Sequence, residues 1–170
     1  MLNISKRMRH AMIVVGIGLS ATAVAIGPAS ATAPGGEGRG TWEIHNVDSS
    51  KCMDASWSHN NGTAVVQWAC YGGNTQQWYT IQKPGGYQIE NADSGKCLDA
   101  SWSHNNGTTV VQWDCYGGNT QLWNQVKTGT GWELVNADSG KCLDASWSRS
   151  DGTNLVQWDC YGGNTQLWYS

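Results

Sequence analysis

The sequence predicts an all-β chain built from three copies of one unit. Residues 49–78, 94–123 and 139–168 are 30-residue blocks set 45 residues apart, and neighbouring blocks agree at 25 of 30 positions. No segment shows sustained helical periodicity, whereas each copy offers four short strand candidates between turn signals. The six cysteines keep the same period, in pairs 18 residues apart: Cys52 and Cys70, Cys97 and Cys115, Cys142 and Cys160. A period of this length marks a repeat architecture. A binding site present in one copy is therefore expected in all three.

The copies span residues 42–86, 87–131 and 132–170. In the second, the strand candidates are 87–91, 96–100, 109–115 and 121–127. Turn signals part them: Asp93-Ser94-Gly95, Asn105-Asn106-Gly107 and Gly117-Gly118-Asn119. Four strands in each of three units give twelve strands with pseudo-threefold symmetry, the layout of a β-trefoil. Only Tyr169 and Ser170 follow Trp168, so the last strand is shorter than 76–82 and 121–127. Barrel closure is expected to be weaker there.

The cysteines allow 15 pairings, but only one kind is local and identical in every unit: each cysteine with its partner in the same block. A disulfide closing a loop of this size contributes roughly 3 kcal/mol on the chain-entropy estimate. Zinc binding is disfavoured, since no C-x2-C or Cys/His cluster appears. A catalytic cysteine is disfavoured because none is left over. The chain has no Phe but 11 Trp. Large aromatic side chains and disulfides are expected to stand in for an aliphatic core.

The N-terminus reads as a targeting segment. Lys6, Arg7 and Arg9 precede an uncharged apolar run over 11–26, and A-x-A patterns end at Ala31 and at Ala33. That is the layout of a secretory signal peptide, residues 1–33, cleaved after 31 or 33. The run is short and rich in small residues for a membrane span, so no membrane insertion is expected. Residues 34–41 form a Gly-rich leader. Without Lys6, Arg7 and Arg9 the chain holds 7 Lys and Arg against 13 Asp and Glu, a net charge of −6. An acidic chain without a basic stripe is a poor nucleic-acid binder. Secretion into an oxidising compartment agrees with the disulfides.

Each block reads Cys-x-Asp, Gly-Thr, Val-Gln-Trp-x-Cys and Gln-x-Trp. In the first copy these are Cys52-Met53-Asp54, Gly62-Thr63, Val66-Gln67-Trp68-Ala69-Cys70 and Gln76-Gln77-Trp78. The set resembles the ricin B-chain-type β-trefoil lectins and the related xylan- and galactose-binding modules. One Q-x-W is a weak signal. Three at a 45-residue period, each placed alike against a cysteine pair, are a strong one.

The resemblance implies a shallow sugar pocket in each lobe, where Asp54, Asp99 and Asp144 accept hydrogen bonds from sugar hydroxyls. It implies an aromatic floor for the C–H face of the sugar at Trp68, Trp113 and Trp158. The strand parity of those tryptophans, shared with Val66 and Cys70, also fits a core position. Tyr71, Tyr116 and Tyr161 are rival or additional sugar contacts. The family's Asn before Q-x-W is replaced by Thr75, Thr120 and Thr165. Asn74, Asn119 and Asn164 stand one residue earlier and are the candidates to replace it. Gln76, Gln121 and Gln166 are expected to hold the Asp carboxylates from behind. Trp78, Trp123 and Trp168 are expected in the core. Trp57, Trp102 and Trp147 either wall the pocket or cover the barrel.

The copies differ at a few positions. His59 and His104 are matched by Arg149, the Asn-Asn before Gly becomes Ser150-Asp151, and Ala69 aligns with Asp114 and Asp159. The expected function is a secreted, non-catalytic lectin with up to three similar sites, and no cofactor or metal. The ligand is a galactose-, xylose- or mannose-containing glycan or polysaccharide. The alternative is a protein-binding, inhibitor-like trefoil, but its loops need not repeat, and these do. A glycosidase usually needs two carboxylates across one bond, which copy one lacks at Ala69. Such modules often accompany hydrolases, so a separate glycoside hydrolase is a candidate partner.

Overall fold

The computed structural model describes residues 40–170. The expected signal peptide and the leader through Arg39 lie outside the described residues. Within them the regular structure is strand and short 3-10 helix, without an α-helix. The expected strands of copy two are Gly86–Asn91, Cys97–Asp99, Thr108–Thr109 with Val111–Trp113, and Leu122–Thr128. The third strand is broken at Val110, and a 3-10 helix, Asn119–Gln121, precedes the fourth. Breaks of this kind make sixteen strand segments out of twelve strand positions.

First and fourth strands close a six-stranded barrel. Gln77–Lys83 pairs with Trp42–Glu43 of its own copy and with Gly86–Asn91 of the next. Leu122–Thr128 pairs with Gly86–Asn91 and Gly131–Asn136. Trp168–Tyr169 pairs with Gly131–Asn136 and with His45–Asn46, which closes the ring. The seams between copies one and two, and two and three, carry six residue pairs each. The seam between copies three and one carries two, Trp168↔Asn46 and Tyr169↔His45.

The second and third strands cap the barrel. Cys52–Asp54 pairs with Val66–Trp68, and the same register recurs in the other copies. The third strands also pair with one another around the axis. At their breaks, Val65 N–H donates to Val110 C=O, Val110 to Leu155 and Leu155 to Val65, at 2.9–3.0 Å. The break thus exchanges one ladder rung for a cyclic bond joining all three copies, and all three side chains are fully buried. Disulfides join Cys52–Cys70, Cys97–Cys115 and Cys142–Cys160.

The core is layered by threes: Ile44, Ile89 and Leu134; Met53, Leu98 and Leu143; Val65, Val110 and Leu155; Trp78, Trp123 and Trp168. Each core indole donates its N–H to a backbone carbonyl of the second strand, as Trp123 does to Leu98 at 3.0 Å. Only these three of the 11 Trp are buried; the other eight face out. Tryptophan therefore replaces part of the aliphatic core, and aliphatic side chains fill the rest.

One backbone position tells the copies apart. Ser50 has φ 57°, where the equivalent Gly95 and Gly140 have 67° and 68°. A Cβ in this left-handed region costs about 1 kcal/mol. Glycine loses more chain entropy on folding, which offsets part of the gain. Ser50→Gly is expected to stabilise the protein by about 0.5 kcal/mol, a rise of roughly 1–3 °C in a thermal melt.

Candidate functional site

Each lobe carries a cleft where the second strand, the loop after it and the end of the third strand meet. The first is lined by Asp54, Ser56, Trp57, Val66, Trp68, Tyr71 and, from copy three, Gly152, and holds about 460 Å³. The clefts around Asp99 and Asp144 hold about 400 and 470 Å³ and have the same composition. Each takes its glycine from the preceding copy. Gly152, Gly62 and Gly107 lie against the rings of Trp68, Trp113 and Trp158, with φ between 78° and 84°. Each site is thus completed by a neighbouring copy.

Asp54 lies at the back of its cleft, 4% exposed. Its Oδ1 accepts the Ser56 N–H at 2.8 Å, and its Oδ2 accepts the Tyr71 hydroxyl at 3.0 Å and Gln76 Nε2 at 3.1 Å. A carboxylate oxygen offers two lone pairs, so Oδ2 is saturated and Oδ1 keeps one open position. Gln76 has all its groups engaged: its Nε2 also donates to Ala69 C=O, and its Oε1 accepts the Tyr71 N–H. Gln121 and Gln166 hold Asp99 and Asp144 in the same way.

The tyrosine is folded back into the cleft by its neighbours. Its ring lies against Gly73, where a Cβ would come within 2.3 Å of it. Its hydroxyl is 2.5 Å from Thr75 Oγ1, so the threonine can donate to the phenol while the phenol donates to Asp54. The Thr that stands in the family's Asn position therefore positions the tyrosine. Asn74, Asn119 and Asn164 open the 3-10 helices, are exposed, and are not among the residues lining the clefts. The helical turn points the next residue, threonine, inward instead.

Burial pushes the Tyr71, Tyr116 and Tyr161 phenols up. Thr75, Thr120 and Thr165 oppose this by hydrogen bonding, and the adjacent Asp carboxylates add to it. A phenol whose folded value is raised contributes stability below its unfolded value near 10, and loses it as pH rises through the folded value. Ligand affinity and melting temperature are expected to fall together above about pH 10. A Tyr116→Phe variant should show a smaller alkaline loss than the parent. Titrating both by thermal melt and binding isotherm checks this.

Trp68, Trp113 and Trp158 present a face to the clefts and are 42%, 42% and 40% exposed. Sequence parity also fitted a core position for them; the strand ends at this residue, and the neighbouring copy offers only a glycine there. Trp57, Trp102 and Trp147 stand at the rims, 80%, 79% and 81% exposed. Each is nearly parallel to the tyrosine of its cleft, with ring centroids 6.1–6.2 Å apart. They wall the pocket and do not cover the barrel.

Residues 40–168 match the ricin-type beta-trefoil lectin domain. The chain belongs to that family. Among solved structures, this lectin domain is similar to a designed threefold-symmetric protein, ThreeFoil, with 35% identity and a TM-score of 0.72 over 75% of this chain and 95% of that one. It is also similar to an exo-beta-1,3-galactanase from Clostridium thermocellum, with 33% identity and a TM-score of 0.72 over 76% of this chain and 29% of that one. A Macrolepiota procera ricin B-like lectin in complex with lactose shares the fold, with 21% identity and a TM-score of 0.68 over 76% of this chain and 93% of that one. No curated protein matches the sequence.

The differences between copies of the lectin domain compensate one another across their interfaces. Asn61 of copy one exchanges two hydrogen bonds with Asp114 of copy two, and Asn106 does so with Asp159. Lys96 and Lys141 pair with those aspartates at 2.5 Å. At the third interface the aspartate is Ala69, and the carboxylate comes instead from Asp151 of copy three. It accepts the Ala69 N–H and pairs with Lys51 at 2.5 Å. Each interface thus keeps one lysine–carboxylate pair. The lysine bonds hold Asp114, Asp151 and Asp159 below the usual carboxylate range. His59 and His104 bond Asp93 and Asp138 of the next copy, and Arg149 makes a two-pronged bond to Asp48 in the same place. None of these charged pairs is among the cleft-lining residues. Among the described residues two clusters have metal-ligand types, His45–Cys52–Cys70 and Glu90–Cys97–Cys115. Their sulfurs are joined in disulfides and have no thiolate to offer a metal.

Proposed function

We propose that this lectin domain is a secreted, non-catalytic carbohydrate-binding protein that engages glycans or polysaccharides through three similar clefts. The observation that carries the reading is the cleft itself: a buried carboxylate with one open acceptor position, set among Trp57, Trp68 and Tyr71, and built alike in all three lobes. Aromatic faces suit the C–H surface of a pyranose, and the carboxylate suits its hydroxyls. Each single contact is weak. Three sites on one rigid body raise overall affinity for a repeating glycan by about 10²–10⁴-fold when they engage together. Each cleft has one lining carboxylate, which argues against the two-carboxylate chemistry of a glycosidase. Secretion rests on the charge and apolar pattern of residues 1–33 and on the three disulfides. The similarity to part of a galactanase supports a hydrolase as a working partner.

The test is a glycan and insoluble-polysaccharide array of the mature protein beside a variant carrying Asp54→Ala, Asp99→Ala and Asp144→Ala. Binding by the parent and its loss in a still-folded variant support the reading and name the sugar class. An array on which the parent binds nothing would sink it, and a protein partner would then become the leading reading.

A further inference from the structure

We infer that Trp57, Trp102 and Trp147 form an outer subsite in each lobe that takes a second sugar residue, so that the natural ligand is an oligosaccharide chain and not a lone monosaccharide. The inference rests on the carbohydrate-binding reading above.

These tryptophans lie outside the repeated Cys-x-Asp and Gln-x-Trp motifs, and each is about four-fifths exposed. An indole so exposed covers little of the barrel. Yet the loop that carries it is fastened from three sides. The Asp54 carboxylate accepts the Ser56 N–H, and the Ser56 hydroxyl donates to Ala64 C=O. From the next copy, the buried Gln112 side chain donates to Ala55 C=O and Ser58 C=O, the carbonyls on either side of Trp57. Gln157 of copy three does the same around Trp102, and Gln67 of copy one around Trp147. The residue just before each tryptophan, Ser56, Ser101 or Ser146, is held at φ 62–65°, a region that L side chains rarely adopt. A strained, triply fastened turn that presents an apolar ring to water has the form of a preorganised binding element.

The depth of the cleft indicates what the ring binds. The Asp carboxylate lies at the back, 4% exposed, and the outer indole stands at the rim, 79–81% exposed. A pyranose seated against the carboxylate and the Trp68 face reaches the back of the cleft. The group that covers Trp57 is then the next one along the ligand. The Trp57 ring is tilted only 18° from that of Tyr71. Rim and wall therefore offer faces of one orientation, suited to consecutive rings of one chain.

The experiment titrates the full chain with galactose, xylose and mannose and with lactose, xylobiose and mannobiose. The parent is compared with Trp57→Ala, Trp102→Ala, Trp147→Ala, and with the matching triple Phe variant. For whichever sugar binds, the parent is expected to prefer the disaccharide by about tenfold. The triple Ala variant should lose that preference, its ratio of disaccharide to monosaccharide affinity falling about tenfold, with the Phe variant in between and melting temperatures unchanged. A disaccharide preference that survives in the Ala variant, or a parent with no preference, overturns the inference while leaving sugar binding intact. A parent that binds neither length of any sugar overturns the carbohydrate reading and this inference with it.

Discussion

Asp99→Ala is expected to weaken the fold of its lobe as well as its binding. The carboxylate is the acceptor for Ser101 N–H, the Tyr116 hydroxyl and Gln121 Nε2. A buried donor left without an acceptor costs about 1–3 kcal/mol. Gln121 is fully buried and bears that penalty; Tyr116 is partly exposed and recovers a bond from water. The expected loss is about 2–3 kcal/mol, read as a shift in denaturant midpoint at unchanged slope. Asp99→Asn keeps an acceptor for Ser101 but can set its own NH₂ against the donors at Oδ2, so it should fall between Ala and the parent. A charge-assisted hydrogen bond to a sugar hydroxyl contributes about 1.5–3 kcal/mol, so single-lobe affinity should drop roughly 10–150-fold. On a multivalent surface the single variant should show reduced avidity, and the triple variant none. A variant that binds and melts like the parent would remove Asp99 from the site.

Trp123→Ala should be the most damaging single substitution of an aromatic residue. Its ring is fully buried in the core cluster, and its N–H donates to Leu98 C=O. Truncating a buried Trp costs about 3–5 kcal/mol from lost transfer energy and the cavity left behind. That is a large share of the 5–15 kcal/mol that holds an ordinary domain together. Trp102→Ala, in the same copy, should change stability by no more than about 0.5 kcal/mol, because its ring already faces water. Denaturant melts of the two variants side by side test the core assignment directly. Equal losses would mean that Trp102 covers the barrel.

The fold could be read from the sequence because the repeat states each element three times. A single run such as Thr108-Thr109-Val110-Val111-Gln112-Trp113 is ambiguous, but three aligned runs with the same cysteine at the end are strands. The break at Val110 was not legible. It exists because Val65, Val110 and Leu155 bond one another around the axis, and each hydrogen-bond partner lies 45 residues or more away. Within the site, Asp99 and Gln121 could be placed by motif, and the structure brings them to 3.1 Å. The role of Thr120 was hidden. It depends on the phenol folding back over Gly118, which only backbone geometry reveals. The purpose of Ala69 was hidden for a similar reason, since its compensating carboxylate is Asp151, 82 residues away.

By itself the sequence determined the all-β class, the three copies, the pairing of the cysteines and the identity of the motif residues. These follow from periodicity and from contacts within one block, where partners lie 17–25 residues apart, as for Asp54 with Tyr71 and Trp78 with Met53. Only the tertiary structure decided that the Trp68 and Trp57 sets line the clefts, because β parity names two faces without saying which one another copy covers. It also decided that every cleft is shared between copies, with Gly152 beside Trp68 and Gln112 fastening the loop of Trp57. Those contacts form only when separate copies close against one another, and no local pattern in the chain encodes which residues meet there.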